Sequence, residues 1–206
     1  IQMSKDNFTA YTSKEMRIFQ TFVDSNPWLK NELKEFYLDN TSFHDLKCEM
    51  NNGYSFTVEV KEEERYWFDK TGNLGLDYIS AFIFKRNKYL WTRKHKYWVD
   101  IEKLKSFMED INILKWGKLV TCDADVQLFY VKDKLCRVYD NSKLKSPKFV
   151  KYLNSNYKLR INNKHAYNIS ENWESAAYFV GNQNSNLNEC LVDNMKNLNN
   201  AIRSNE

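Results

Sequence analysis

The chain has 206 residues, enough for one domain with an insertion and enough to bury a core without disulfide or metal staples. Hydrophobic residues at 42%, charged residues at 28%, five Gly and two Pro exclude a disordered, fibrous or linker-rich chain. A net charge of +4 permits a nucleic-acid partner without demanding one, because the placement of charge matters more than its sum.

Along the chain, Thr12 followed by Glu15 reads as a capping box, and Met16, Phe19, Phe22 and Val23 then recur at helical spacing. Pro27 suits the first turn of a second helix, with Trp28, Leu29, Leu33, Phe36 and Tyr37 as its apolar face and an end near Asn40. His44 to Met50 and Tyr54 to Val60 alternate around Asn51-Asn52-Gly53, which predicts an antiparallel hairpin. A turn at residues 69–73 leads to a third strand, Leu74 to Phe84. Asp100 is placed to cap a helix reaching about Ile111, with Ile101, Leu104, Phe107 and Met108 inward. Val126 to Val131 and Leu135 to Tyr139 read as a strand pair around Lys132-Asp133-Lys134. Ser142 opens a helix towards Leu153, interrupted by Pro147, and Leu187, Leu191, Met195, Leu198 and Ile202 mark an amphipathic C-terminal helix.

Three residues on the predicted hairpin carry chemistry. Side chains at i and i+2 of a strand share a face, so Glu59 and Lys61 point the same way while Val58 and Val60 point into the other layer. The hairpin can set Asp45 opposite that pair, joining two carboxylates to one ammonium group. Phosphodiester hydrolysis needs such a set. Mg²⁺ offsets charge on the phosphate and activates water, and it prefers oxygen ligands while keeping several waters. Asp45 and Glu59 can hold the ion, with the Val60 carbonyl as third ligand, and Lys61 can position or help deprotonate the water. From spacing alone the same residues equally describe a cross-strand ion pair on a solvated sheet face. A second E-x-K string, Glu32-Leu33-Lys34, falls on the predicted helix and reads as surface.

The flanking residues add a resemblance. Asp45-Leu46-Lys47-Cys48-Glu49, the hairpin, and Phe56-Thr57-Val58-Glu59-Val60-Lys61 resemble the D…ExK core of the PD-(D/E)xK, or restriction-endonuclease-like, nuclease superfamily. Lys70-Thr71-Gly72-Asn73-Leu74-Gly75-Leu76-Asp77-Tyr78 is similar to a K-T-G-N segment that follows ExK in one group of small bacterial and phage nuclease-like proteins. Lys118 to Asp125 resembles that group's T-S-K-A-D segment, and a fainter echo lies at Ala177-Tyr178-Phe179-Val180. Asp77 stands where the group commonly has Glu, and Asp123 where it has Lys, so the second segment reverses a charge. The resemblance implies an α/β fold with a restriction-endonuclease-like core: a mixed central sheet flanked by helices. It implies one nuclease-like domain over residues 1–206 with an insertion at about 80–115. It also implies a Mg²⁺-dependent DNA endonuclease in which Mn²⁺ substitutes. Asp45, Glu59 and Lys61 would be catalytic and Asp77 an additional ligand. A homodimer would suit double-strand cleavage. The alternatives are an RNA endonuclease with the same core and a non-catalytic nucleic-acid-binding protein on a nuclease fold.

Residues 85–98 contain no acidic side chain, and basic groups alternate there with aromatics. Lys85, Arg86, Lys88, Arg93, Lys94 and Lys96 suit phosphates, and Trp91 suits stacking on unpaired bases; a hairpin with aromatics in the core and Lys in water is the plainer account. Lys143, Lys145, Lys148, Lys151 and Lys158 make a second, weaker basic stretch. Glu32 and Glu35 sit on the predicted leading helix, where the superfamily sometimes takes an acidic ligand. Asp125 could line the site or anchor the loop at Thr121. His44, His95 and His165 lack ligand spacing; His44 adjoins Asp45 but reads first as a structural histidine. Cys48, Cys122, Cys136 and Cys190 form no CxxC pair or zinc pattern, which predicts reduced, mostly buried thiols in a cytoplasmic protein. No apolar run approaches the ~20 residues a membrane span requires, and the first residues show no signal-peptide pattern.

Overall fold

The computed structural model describes residues 13–39, 44–84, 96–99, 105–106, 108–109, 111–149, 159–162, 168–169, 172–173, 175–182 and 190–192. Its elements in chain order are α1 (Lys14–Ser25), α2 (Pro27–Glu32), β1 (Leu33–Leu38), β2 (Leu46–Met50), β3 (Ser55–Glu62), α3 (Arg65–Thr71), β4 (Asn73–Phe84), β5 (Lys96–Val99), β6 (Ile111–Trp116), α4 (Lys118–Thr121), β7 (Val126–Val131), β8 (Leu135–Asp140), α5 (Asn141–Lys145), β9 (Leu159–Asn162), β10 (Asn168–Ile169), β11 (Asn172–Trp173), β12 (Ser175–Asn182) and β13 (Leu191–Val192). They fall into two compact units: Ile1–Thr71 with Asp123–Lys143 and Leu187–Glu206, and Gly72–Cys122 with Leu144–Asn186. The insertion expected at about 80–115 lies within the second. No helix among the described residues is long and apolar enough to cross a membrane.

The first unit is built on a six-stranded sheet, ordered β1-β2-β3-β7-β8-β13. It is mixed: β3 and β7 run parallel, and the other neighbours are antiparallel. Ser13, rather than Thr12, caps α1, its hydroxyl accepting from the Met16 amide at 3.2 Å; Thr12 lies outside the described residues. Phe19, Phe22 and Val23 are buried as the spacing predicts; Ile18 joins them in the stripe, and Met16 is only partly buried against it. That stripe packs on Leu46, Cys48 and Met50 of β2, Phe56 and Val58 of β3, and Val126, Leu128, Val138 and Val192. One sheet face is therefore closed by apolar contact, which leaves Glu59 and Lys61 on the other.

Several predicted elements are corrected. The second helix stops at Glu32, and Leu33–Leu38 is an edge strand antiparallel to β2. Leu33, Phe36 and Tyr37 suit a helix by spacing, but Phe36 gains an edge-on contact with Phe19 at 4.9 Å by pairing with β2, so tertiary contact overrides local preference. Glu32 thus ends a helix and Glu35 sits on a strand. Leu191 belongs not to a helix but to β13, paired with Tyr139 and Val138 of β8, and Val192 joins the core; the rest of the predicted C-terminal helix is outside the described residues. The described residues within the predicted helix, 105–106 and 108–109, are helical, but Ile111 opens a strand instead of ending that helix, and Asp100 lies outside the described residues. Asp140, not Ser142, caps α5, accepting from Ser142 N at 2.9 Å and Lys143 N at 3.3 Å.

The hairpin is as read. Met50 and Tyr54 bond across it, and Gly53 takes φ +89°, which a side chain would resist. The second unit holds an antiparallel five-stranded sheet, β5-β9-β12-β4-β6, so the predicted third strand, β4, lies there and β3 takes β7 as its other neighbour. Gly117, between β6 and α4, donates to the Tyr78 carbonyl at 2.9 Å, and a Cβ there would run into the Asp77 carbonyl. Cys48, Cys122 and Cys190 are buried, Cys136 is half-buried, and all four are free thiols.

Candidate active site

Asp45 does not lie inside β2. The chain bends at His44 and Asp45, and the Asp45 amide donates to the carbonyl of Val58, the residue already paired with Leu46. The Asp45 carboxylate turns to β3, where Oδ2 accepts the Val60 amide at 2.8 Å. Its main chain is held a second time, the Asp45 carbonyl accepting from the Asp39 amide at 3.0 Å.

Glu59 is buried, with 6% of its surface exposed, and stands beside Gln127 across the parallel β3–β7 ladder. Gln127 Nε2 donates to Asn141 Oδ1 at 2.7 Å, and Asn141 Nδ2 donates to the Ala124 carbonyl at 2.7 Å. The floor beside Glu59 is therefore polar and internally bonded. Lys61 lies two residues on. Its ammonium is 3.7 Å from Glu63 Oε1 and 5.6 Å from the centre of the Phe129 ring. A carboxylate and an aromatic face thus bracket the cation. Phe129 meets Tyr139 edge-on at 5.6 Å on the same sheet face. Burial raises the Tyr139 phenol above its ordinary range, with Arg137 opposing and Cys190 adding.

Asp125 anchors rather than lines the site. Its Oδ2 accepts from Thr57 N at 2.8 Å and Thr57 Oγ1 at 3.2 Å, and its own amide donates to Thr57 Oγ1 at 3.0 Å. These bonds set the register of β7 against β3. Burial first, and Asp125 second, push the nearby Cys48 thiol well up.

Asp45 meets the Val60 amide at the β2–β3 end of the first unit, and Glu59 and Lys61 flank Val60 on β3. Asp77 belongs to the second unit, on β4 in register with Tyr178. Lys34 and Glu35 are exposed, and Lys34 pairs with both Glu35 and Glu49, so the second E-x-K string is solvated surface. Lys85, Arg86, Lys88, Trp91, Arg93 and Lys94 lie outside the described residues; Lys96 opens β5. In the second basic stretch, Lys145 is engaged within the fold, donating to the Cys122 carbonyl at 2.6 Å. Sequence reasoning missed Glu63, although Glu59, Lys61 and Glu63 continue one alternation. It also missed Gln127 and Asn141, which no local pattern marks.

Asp45 and Glu59 suit a hard cation. Carboxylate oxygens are the donors such an ion takes, and a carboxylate as deeply placed as Glu59 gains from an attendant counter-charge. Among the described residues no group of three or more His, Cys, Asp or Glu is placed to hold a metal ion. Comparison with protein-family models, with curated proteins and with solved structures returns no match.

Proposed function

We propose that this chain is a Mg²⁺-dependent endonuclease of the PD-(D/E)xK class that hydrolyses DNA phosphodiester bonds, with Mn²⁺ as substitute. The observation that carries the reading is the junction of Asp45 with Glu59-Val60-Lys61, where Asp45 leaves its strand to bond the amide between the other two side chains. A surface ion pair needs no such bend, and Glu59 is not on the surface.

Bound Mg²⁺ offsets phosphate charge and makes its water more acidic. Asp45 and Glu59 would hold the ion, with the Val60 carbonyl as the third protein oxygen. The Val60 amide fixes one Asp45 oxygen, so the carboxylate is oriented before any ligand arrives. Lys61, restrained by Glu63 and Phe129, directs its N–H groups at the attacking water or at the non-bridging phosphate oxygens, where negative charge grows. The basic residues 85–96 belong to this reading as a DNA-contacting segment. A homodimer is its natural form for cutting both strands.

The test is cleavage of plasmid DNA and of labelled RNA with Mg²⁺, Mn²⁺ or EDTA. Glu59→Gln and Lys61→Ala should each lower the rate roughly 10²–10³-fold, equivalent to ~3–4 kcal/mol of transition-state stabilisation, with unchanged circular dichroism. Full activity in both folded variants would refute the assignment. Cleavage of RNA alone would move the substrate class.

A further inference from the structure

We infer that His44 is a positioning residue for Asp45, acting as a strut between Asp39 and Asp123. The inference rests on the proposed role of Asp45 as a metal ligand. His44 Nε2 lies 2.9 Å from Asp39 Oδ2, and Nδ1 lies 3.0 Å from Asp123 Oδ1. The imidazole is largely covered, at 10% exposure, and both its nitrogens are engaged. A histidine wedged in this way has little rotamer freedom left, and neither has the peptide that joins it to Asp45.

The two anchors come from distant parts of the chain. Asp39 follows β1, and its amide donates to the Asp45 carbonyl. Asp123 lies in the turn before β7, 79 residues from His44. Two residues further on, Asp125 binds Thr57 of β3. The 123–125 turn therefore grips both sides of the bend, His44 through Asp123 and Thr57 through Asp125. Asp45 lies between these grips just outside the β2–β3 register, its amide bonded to the Val58 carbonyl. Together with that bond the strut fixes the bend, and through it the approach of Asp45 Oδ2 to the Val60 amide. Outer groups that orient a ligand in this way typically change metal affinity 10–100-fold when removed.

Asp123 also gives the charge reversal in the Lys118–Asp125 segment a use. A lysine at that position could not accept from an imidazole N–H, whereas a carboxylate can.

The test uses the whole chain, with His44→Ala, His44→Gln and Asp123→Ala, and two readouts. The first is hydrogen exchange at the Val60 amide, which needs no metal and no activity. The second is Mn²⁺ affinity by calorimetry, with no nucleic acid present. His44→Ala should speed Val60 exchange at least about tenfold while the Val58 and Leu128 amides keep their protection, and should weaken Mn²⁺ binding 10–100-fold. His44→Gln, which keeps an amide able to donate, should recover part of both. Asp123→Ala cuts one arm at a half-exposed side chain, and it decides the matter if His44→Ala fails to fold. Unchanged Val60 exchange in the folded variants overturns the strut. Faster Val60 exchange in a protein whose wild type binds no Mn²⁺ upholds the strut and overturns the metal-site reading instead.

Discussion

Replacing Asp45 by Asn and by Ala separates the two tasks assigned to one carboxylate. Oδ2 accepts the Val60 amide at 2.8 Å, a hydrogen bond to a charged acceptor in a partly buried setting. Such bonds contribute about 1.5–3 kcal/mol, against about 0.5–1.5 kcal/mol for a neutral acceptor. Asn keeps an oxygen in place, so Asp45→Asn should cost ~1 kcal/mol of stability. Ala leaves the amide to water, so Asp45→Ala should cost ~1–3 kcal/mol. Metal binding and cleavage should behave differently, because both replacements remove the charge. Both should weaken Mn²⁺ binding and lower plasmid cleavage by roughly 10²–10³-fold. The assays are urea denaturation followed by circular dichroism, Mn²⁺ calorimetry, and nicking of supercoiled plasmid in Mg²⁺. Wild-type Mn²⁺ affinity in Asp45→Asn would remove Asp45 from the ligand set. No loss of stability in Asp45→Ala would show that the Val60 bond does not form in solution.

Phe19→Ala removes a ring that is 1% exposed and meets Phe36 edge-on, and it should destabilise by about 3–5 kcal/mol in denaturant titration. Gly117→Ala should cost about 1–3 kcal/mol, because the new methyl meets the Asp77 backbone, which must shift; thermal melts read this. Burial pushes the Cys136 thiol from 9.0 up to about 11, so the folded state holds that proton more tightly than the unfolded chain. Its share of stability is therefore present below pH 9 and is lost as pH rises through about 11, and Cys136→Ser should flatten that alkaline decline in urea midpoints. Neutralising Arg93, Lys94 and Lys96 together should weaken DNA binding and reduce its salt slope by up to about 3; unchanged affinity across a salt series would return the segment to a structural role.

The sequence by itself determined what depends on near neighbours along the chain. The α1 stripe, the Asn51-Asn52-Gly53 hairpin and the β7–β8 pair all stand where periodicity and turn chemistry place them, because each is stabilised within a dozen residues of itself. The shared face of Glu59 and Lys61, opposite the apolar Val58, follows from strand alternation alone. Tertiary structure decided the rest. Leu33–Leu38 and Leu191–Val192 carry helical spacing, yet both are edge strands, because β2 and β8 offered unpaired backbone and the α1 layer offered a place for their apolar side chains. The partner of β3 was equally illegible: the next strand in sequence, β4, joins another sheet, and β7 arrives from more than sixty residues away. The site shows the same division. Alternation brings Glu59 and Lys61 to one face, but the bond of Asp45 to the Val60 amide, and the contacts of His44 with Asp39 and Asp123 beside it, form only when the chain has folded.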